Sequence, residues 1–218
     1  MTCAISRRAV LDAAASLSAV AVLGLGASAA AEELSPSLVT EARKGLKGVI
    51  ARFTQTRTVG LLAADVKSSG TMTIVTPDRL RWELAAPDAI TYWIGPEGIA
   101  YRTEKGVVKA GKDAAGRFGA VLGDLLVFMG GDIAALAPRY TVKVPSRDKD
   151  GALHVVAEPK SDDVKKLVKV VRFDTTPDLW AVRRVEIEEA SGDKSVIDFG
   201  PSQRDPKVDP ATMRPPKA

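Results

Sequence analysis

The sequence predicts a mainly β, α+β fold: a single large curved antiparallel sheet, or unclosed β-barrel, with helices covering its concave face. Short segments in which apolar and polar residues alternate, such as "RLRWEL" and "LHVVAE", recur along most of the chain and are typical of strands with one buried face. Helical spacing of apolar residues is confined to two stretches. Because so little helix separates about ten predicted strands, neighbouring strands should pair antiparallel, since parallel pairing needs long crossovers.

The first 31 residues have the pattern of a cleavable export signal. Arg7 and Arg8 precede a weakly apolar stretch over residues 13–25, and small residues at 27–31 follow it, as at a signal cleavage site. "SRRAVL" resembles a twin-arginine signal, with general export as the other route. An uncleaved membrane anchor is the alternative, because the apolar stretch approaches the length that spans a bilayer. We expect export and one mature domain over residues 32–218.

The composition excludes several classes of function. Cys3 is the only cysteine and lies within the export signal, so the mature chain has neither a disulfide nor a thiolate metal site. Charged residues make up 27% of the chain with both signs interspersed, and the net charge is only +4. The basic residues are not grouped with stacking aromatic side chains, so we expect no nucleic-acid partner.

Two stretches predict helices. Apolar residues three and four apart from Leu34 to Phe53 predict an amphipathic helix near the start of the mature chain. The same spacing over residues 118–136 predicts two short helices, which Gly130 and Gly131 separate.

Alternating segments predict strands over residues 52–103 and again over residues 140–199. Gly192 and Asp193 predict a hairpin turn before the last of these strands. From about residue 201 the chain is rich in Pro, Asp and Lys, which predicts an irregular or loosely attached tail.

The candidate catalytic residues are few. His154 is the only histidine and lies in an ordinary strand pattern, so we interpret it as structural. The carboxylate pairs Asp162-Asp163 and Glu188-Glu189 lie in turns or on the polar faces of strands, where solvent surrounds them. Zinc catalysis lacks ligands, and we expect no cofactor, no metal and no enzymatic activity, with a hydrolase on a β-scaffold as the weaker alternative.

Apolar side chains supply the strongest pattern. They follow one another on successive predicted strands, and a second apolar surface comes from the central helix, so the two surfaces can face each other. Either they form a close-packed core or they stand apart and bind an apolar ligand. The candidate lipid-binding residues are Met72, Ile74, Leu80, Trp82, Leu84, Tyr92 and Ile94 on the strands, with Phe118, Leu122, Leu126 and Met129 on the helix.

Several short motifs occur in an order that a known family shares. "FTQ" follows the predicted first helix, "GTM" leads into "PDRLRWE", and "PD" then precedes a strand that ends in a glycine turn. "EPK", "LVKVVRFD" and the closing "DPA" and "PP" continue the order. The mature chain thereby resembles the LolA-like family of periplasmic outer-membrane lipoprotein carriers.

This resemblance implies an unclosed barrel with a helical lid, and acyl chains held between the sheet and the lid. It also implies a periplasmic location in a Gram-negative bacterium. The family has an arginine that bonds the lid just before the proline of the "PDRLRW" strand, whereas this chain has Thr76 there. The control of the lid should therefore differ.

We expect a monomeric, non-enzymatic carrier that takes lipoproteins, or a related amphiphile, from the inner to the outer membrane. Its partners by resemblance are an inner-membrane lipoprotein-releasing transporter and an outer-membrane acceptor. The alternative is a half-barrel sensor of lipid or lipoprotein that regulates an inner-membrane partner.

Overall fold

Antiparallel strands dominate the fold. The computed structural model describes residues 34–60, 62, 64–110, 116–130 and 132–216, together with all of their side chains except those of residue 110 and residues 116–122. The expected export signal, residues 1–31, lies outside the described residues.

The described strands are β1 (Gly48–Thr58), β2 (Val66–Val75), β3 (Arg79–Leu84), β4 (Thr91–Gly95), β5 (Gly98–Thr103), β6 (Gly106–Ala110), β7 (Tyr140–Arg147), β8 (Leu153–Pro159), β9 (Val168–Thr175), β10 (Val182–Glu189), β11 (Lys194–Phe199) and β12 (Gln203–Arg204). The helices are α1 (Ser37–Ala42), α2 (Gly116–Gly130) and α3 (Asp162–Lys165), with 3₁₀ turns at Ile133–Leu136 and Pro210–Met213.

All of these strands belong to one 12-stranded sheet. Its order is β6-β5-β4-β3-β2-β1-β11-β10-β9-β8-β7, with β12 beside β1. Strands β6 and β7 lie at opposite edges and do not pair within the described chain, so the sheet is not closed into a barrel. The predicted fold class is confirmed.

The central helices also agree with the sequence pattern. α2 ends at Gly130, and the 3₁₀ turn Ile133–Leu136 follows it. The segment that contains α2 joins β6 to β7, so the chain passes here from one edge of the sheet to the other.

The predicted helix from Leu34 to Phe53 is wrong in its second half. α1 ends at Ala42, Gly45 has a φ of +75°, and the chain is already in β1 from Gly48 onward. A left-handed glycine is a usual way to end a helix. The residues that follow include β-branched side chains in alternation, and pairing with β2 and β11 stabilises them as a strand.

The register gives the sheet two distinct faces. Directly opposite residues of antiparallel strands point to the same side, so Ala51, Met72, Trp82 and Tyr92 form one row across β1 to β4. We call this side the inner face; it also carries Phe173 of β9, and helix α2 packs against it. The opposite side is the outer face.

The C-terminal segment is attached more closely than its composition indicates. β12 pairs with Val49 and Ile50 of β1. Further on, the Trp93 indole Nε1 on the outer face donates a hydrogen bond to the Thr212 carbonyl oxygen at 2.9 Å, and Met213 is only 3% exposed. The segment therefore covers part of the outer face rather than hanging loose.

The close approach of β2 to its neighbours generates a stability prediction. A Cβ at Gly70 would lie 1.8 Å from the Glu83 carbonyl oxygen and 2.7 Å from the Phe53 ring, so Gly70→Ala forces the strands apart. We expect the free energy of unfolding to fall by roughly 1–3 kcal/mol, as measured by urea denaturation.

The matched control is Gly123→Ala in α2. Within the described structure no atom outside the helix's own backbone lies within 4 Å of the new methyl group. Helix propensity then predicts that the free energy of unfolding rises by up to about 1 kcal/mol. Equal effects of the two substitutions would contradict the tight contact at Gly70.

Candidate functional site

The candidate site is the inner face around Trp82 together with the helix that covers it. The Trp82 ring stacks on Phe53 with centroids 3.9 Å apart and meets Phe199 edge-on at 6.2 Å. Only 1% of Trp82 is exposed. The space beside Trp82 is therefore filled by aromatic side chains of β1 and β11 rather than open.

Helix α2 supplies the other side of the site. Leu125, Leu126, Phe128 and Met129 are buried and belong to the same hydrophobic cluster as the strand residues. The Phe128 ring lies 5.2 Å from Phe173 and 5.6 Å from Tyr140, measured between centroids. The cover thus packs on the strands nearer β7 as well as on those nearer β4.

The structure brings the predicted lipid-binding residues together. Met72, Ile74, Leu80, Trp82, Ile94, Leu126 and Met129 lie in one buried cluster, and Leu84 and Tyr92 pack against it. Phe118 and Leu122 belong to α2, but their side chains lie outside the described part of the structure. Binding of lipid by any of these residues stays a prediction.

A buried carboxylate attaches the middle of α2 to β7. Asp124 Oδ2 accepts hydrogen bonds from the Tyr140 hydroxyl at 2.5 Å and from Arg139 Nη2 at 3.0 Å. Burial raises the pKa of Asp124 although both hydrogen bonds oppose this shift. The attachment therefore has a desolvation cost, which its partners offset only in part.

A buried arginine attaches the end of α2. Arg43, directly after α1, is 4% exposed. Its Nη1 donates to the Phe128 carbonyl oxygen at 2.5 Å, and its Nε donates to the Trp180 carbonyl oxygen at 3.0 Å. Arg43 thus connects α1, the last turn of α2 and the loop before β10.

Thr76 forms a different contact. Its hydroxyl donates to the Leu46 carbonyl oxygen at 2.7 Å, and its backbone N–H donates to the Lys47 carbonyl oxygen. These bonds hold the connection between α1 and β1. In this chain Arg43, directly after α1, is an arginine that bonds α2, the helical cover.

A groove of about 400 Å³ opens at the β7 edge of the inner face. Tyr140 and Val142 of β7 form one wall, Ile133 of the 3₁₀ turn a second, and Thr40 and Glu41 of α1 contribute the rim. The volume is within the range of small-molecule sites. Since Tyr140 and Ile133 also belong to the buried cluster, the groove is continuous with the inner-face core.

Comparison with known families identifies the kind of fold. The model of the family described as "Outer membrane lipoprotein carrier protein LolA" matches residues 44–92. These residues contain β1 to β3, and hence Trp82, and the first two residues of β4. Over these residues the chain is LolA-like. No curated protein sequence matches it significantly.

Solved structures are similar to this chain at low sequence identity. An uncharacterized conserved protein from Thermus thermophilus superposes with a TM-score of 0.51 at 9% identity, covering 83% of this chain and 93% of that one. A LolA superfamily protein from Nitrosomonas europaea has a TM-score of 0.44 at 10% identity, covering 82% and 95%. Lipoprotein LppX from Mycobacterium tuberculosis has a TM-score of 0.45 at 12% identity, covering 80% and 98%.

Sequence reasoning missed several residues of this LolA-like site. Phe53 lies where the predicted helix and the predicted strand region overlap, and its alternation with Val49 and Ala51 is the strand signal. Phe199 lies in a predicted strand, but only the pairing of β1 with β11 brings it to Trp82. Arg43 and Asp124 carry no sequence signal, because each is an ordinary helix residue until its partners are known.

His154 lies on the outer face of β8, whereas Trp82 lies on the inner face of β3, several strands away in the sheet. Its Nδ1 lies 2.7 Å from Asp174 and its Nε2 lies 2.7 Å from Asp148, which Arg183 also contacts. The hydrogen bond to Asp148, followed by that to Asp174, raises the pKa of His154 against the effect of burial. These contacts form a surface ion network that links the β7–β8 turn to β9 and β10.

The other acidic candidates form ion pairs, Glu188 and Asp162 with lysines and Glu189 and Asp163 with arginines. Glu188 accepts from Lys169 at 2.7 Å, and Asp162 lies 3.4 Å from Lys165. Over the described ranges, no cluster of histidine, cysteine or acidic residues has the arrangement of a metal site. Likewise, no helix in the part of the chain that the structure describes is long and apolar enough to cross a membrane.

Removing the Asp124 carboxylate should loosen α2. Asp124→Ala leaves the buried Tyr140 hydroxyl without an acceptor, which costs about 1–3 kcal/mol of unfolding free energy. Hydrogen exchange at α2 amides should rise together with this loss. Asp163→Ala is the control, because the exposed Asp163 carboxylate lies 3.8 Å from Arg139, which also bonds Asp124. Similar losses of stability in the two variants would contradict the attachment of α2 by Asp124.

The His154 network predicts a pH-dependent stability. Because the folded pKa of His154 is raised above its usual 6.5, its contribution is complete below about pH 6.5 and is lost as the pH rises through the raised value. His154→Gln should therefore destabilise the protein more at pH 6 than at pH 9, as measured by thermal unfolding. A destabilisation by His154→Gln that is the same at both pH values would contradict the ion network.

Proposed function

We propose that this LolA-like chain is a periplasmic carrier that binds the acyl chains of a lipoprotein, or a related amphiphile, between the inner face and α2. The observation that carries the proposal is a continuous apolar face covered by α1, α2 and the 3₁₀ turn that follows α2. Among the described residues, Asp124 and Arg43 attach α2 through polar contacts. This arrangement can separate without breaking strand pairs of the sheet. An acyl chain would then replace the apolar contacts that α2 loses.

The energetics of such an exchange suit a carrier. Burying an acyl chain gains about 0.8 kcal/mol per CH₂ group, enough to make exposed chains insoluble. In the closed form, however, the same inner-face area is already buried against Phe53, Phe199 and α2. The net free energy of binding is therefore only the difference between burying this face against the protein and burying it against the acyl chain. A carrier with such a modest net gain can release its cargo.

The groove at the β7 edge is a reasonable entrance for the chain. Its walls are mainly apolar, and Ile133 and Tyr140 connect it with the buried cluster. Movement of the 3₁₀ turn together with α2 would extend the groove along the inner face toward Trp82.

The wider role follows from the sequence pattern and the family resemblance. The export-signal pattern supports a periplasmic location, and the family description supports lipoprotein as cargo. We propose a non-enzymatic monomer that receives its cargo from an inner-membrane lipoprotein-releasing transporter and passes it to an outer-membrane acceptor.

Tryptophan fluorescence can locate the bound chain. Trp82 lies on the inner face and Trp93 on the outer face, and both are almost fully buried. We expect a fatty acid brominated along its chain to quench the W93F/W180F variant, which retains Trp82, and to leave the W82F/W180F variant, which retains Trp93, almost unquenched. Bromine quenches at contact, so the difference reports which face the chain occupies.

Equal quenching of the two variants, or none, would refute acyl binding at the inner face. Native mass spectrometry of the protein isolated from a Gram-negative periplasm tests the cargo separately. Bound lipoprotein supports the carrier role, whereas a stable complex with a regulatory membrane protein and no lipoprotein would favour the sensor alternative.

A further inference from the structure

Arg43 is a cation enclosed by the protein. Burial lowers the pKa of its guanidinium to about 10, so it is still protonated at neutral pH. Two of its nitrogens donate to the carbonyl oxygens of Phe128 and Trp180. The third, Nη2, is buried and has no hydrogen-bond partner among the described residues.

The charge of Arg43 also lacks a matching anion. None of the carboxylates in the described ranges forms an ion pair with it, and burial is the only cause of its pKa shift. Phe128 lies in the last turn of α2, where the helix dipole supplies about half of a negative charge. The guanidinium is therefore only partly compensated, and a buried charge in this state is costly.

On the basis of the proposed function, in the form in which the cargo is a related amphiphile, we propose that Arg43 Nη2 binds the anionic head group of that ligand. The head group is the carboxylate of a fatty acid or the phosphate of a phospholipid, since both accept charge-assisted hydrogen bonds from a guanidinium. Such an anion would supply the missing acceptor and the missing charge together.

Arg43 is buried and does not line the groove, but it follows closely in the chain the residues of α1 that do. Thr40, which lines the groove, precedes Arg43 by about one turn along the same short helical segment. Arg43 also bonds the last turn of α2, the element that must move to admit a chain. A ligand that lifts this turn would free Nη1 as well and gain a second donor.

The consequence is a preference in cargo. A carrier with this site should bind an anionic amphiphile more tightly than a neutral one that has the same chain. One charge-assisted hydrogen bond in a buried site corresponds to roughly tenfold to a hundredfold in affinity.

The test compares three probes with the same 16-carbon chain: palmitate, hexadecyl phosphate and hexadecanol. Dissociation constants are measured below their critical micelle concentrations at pH 8, where both anions are ionised and Arg43 is protonated. We expect the wild-type protein to prefer at least one anion over hexadecanol by about tenfold or more. The ranking of palmitate against hexadecyl phosphate distinguishes a carboxylate from a phosphate head group.

Two substitutions connect the preference to Arg43. Arg43→Met should reduce the anion-to-alcohol ratio to near one, and Arg43→Lys should retain much of it, because the lysine keeps the charge. Arg52→Met is the matched control, since Arg52 is an exposed arginine on the outer face of β1, and its ratio should equal that of the wild type.

The ratio separates head-group binding from attachment of α2, because loosening the cover changes the affinities of all three probes together. Equal affinities for anions and alcohol in the wild-type protein, or an unchanged ratio in Arg43→Met, would overturn the inference while leaving acyl binding intact. If none of the probes binds the wild-type protein, the proposed function itself fails. If Arg43→Met does not fold, a wild-type ratio near one still overturns the inference, and a ratio in Arg43→Lys that equals the wild-type ratio supports it.

Discussion

The structure depends on the need to cover one apolar face of a large sheet whose edges do not join. In a closed barrel, opposite walls would cover each other, whereas here β6 and β7 remain apart. The inner face must therefore be buried by other elements, and α1, α2 and the 3₁₀ turn after α2 do this. The segment with α2 connects the two edge strands, so this part of the cover is covalently continuous with both edges of the sheet.

The cover is held mainly by apolar contacts and only secondarily by polar ones. Asp124 and Arg43 each bury a charge, and in each case burial is the largest influence on the pKa. Buried charges of this kind are weak evidence for stability, because desolvation offsets much of what the hydrogen bonds gain. They do specify one position of α2, since any displacement leaves a charged group without its partners.

The same reasoning explains why a packed interior is compatible with a binding role. Trp82, Phe53 and Phe199 fill the inner face in the described state, so a ligand competes with the protein's own side chains. The flexible side chains of Met72 and Met129, which lie in the same buried cluster, make few directional contacts and can adapt to a ligand. On the outer face the Trp93 indole is instead fixed by a directional hydrogen bond to the Thr212 carbonyl oxygen.

The sequence by itself determined which side chains of each strand point inward, since side-chain direction alternates locally and needs no knowledge of the neighbours. It thereby predicted the antiparallel sheet, the break after α2 at Gly130, and the wall formed by Leu80 and Trp82. Only the tertiary structure decided the state of residues 48–53, whose apolar spacing suits a helix and a strand alike until pairing with β2 and β11 selects the strand. It also decided that Phe199 completes the wall and that Arg43 lies beneath α2, because such contacts depend on how distant segments pack.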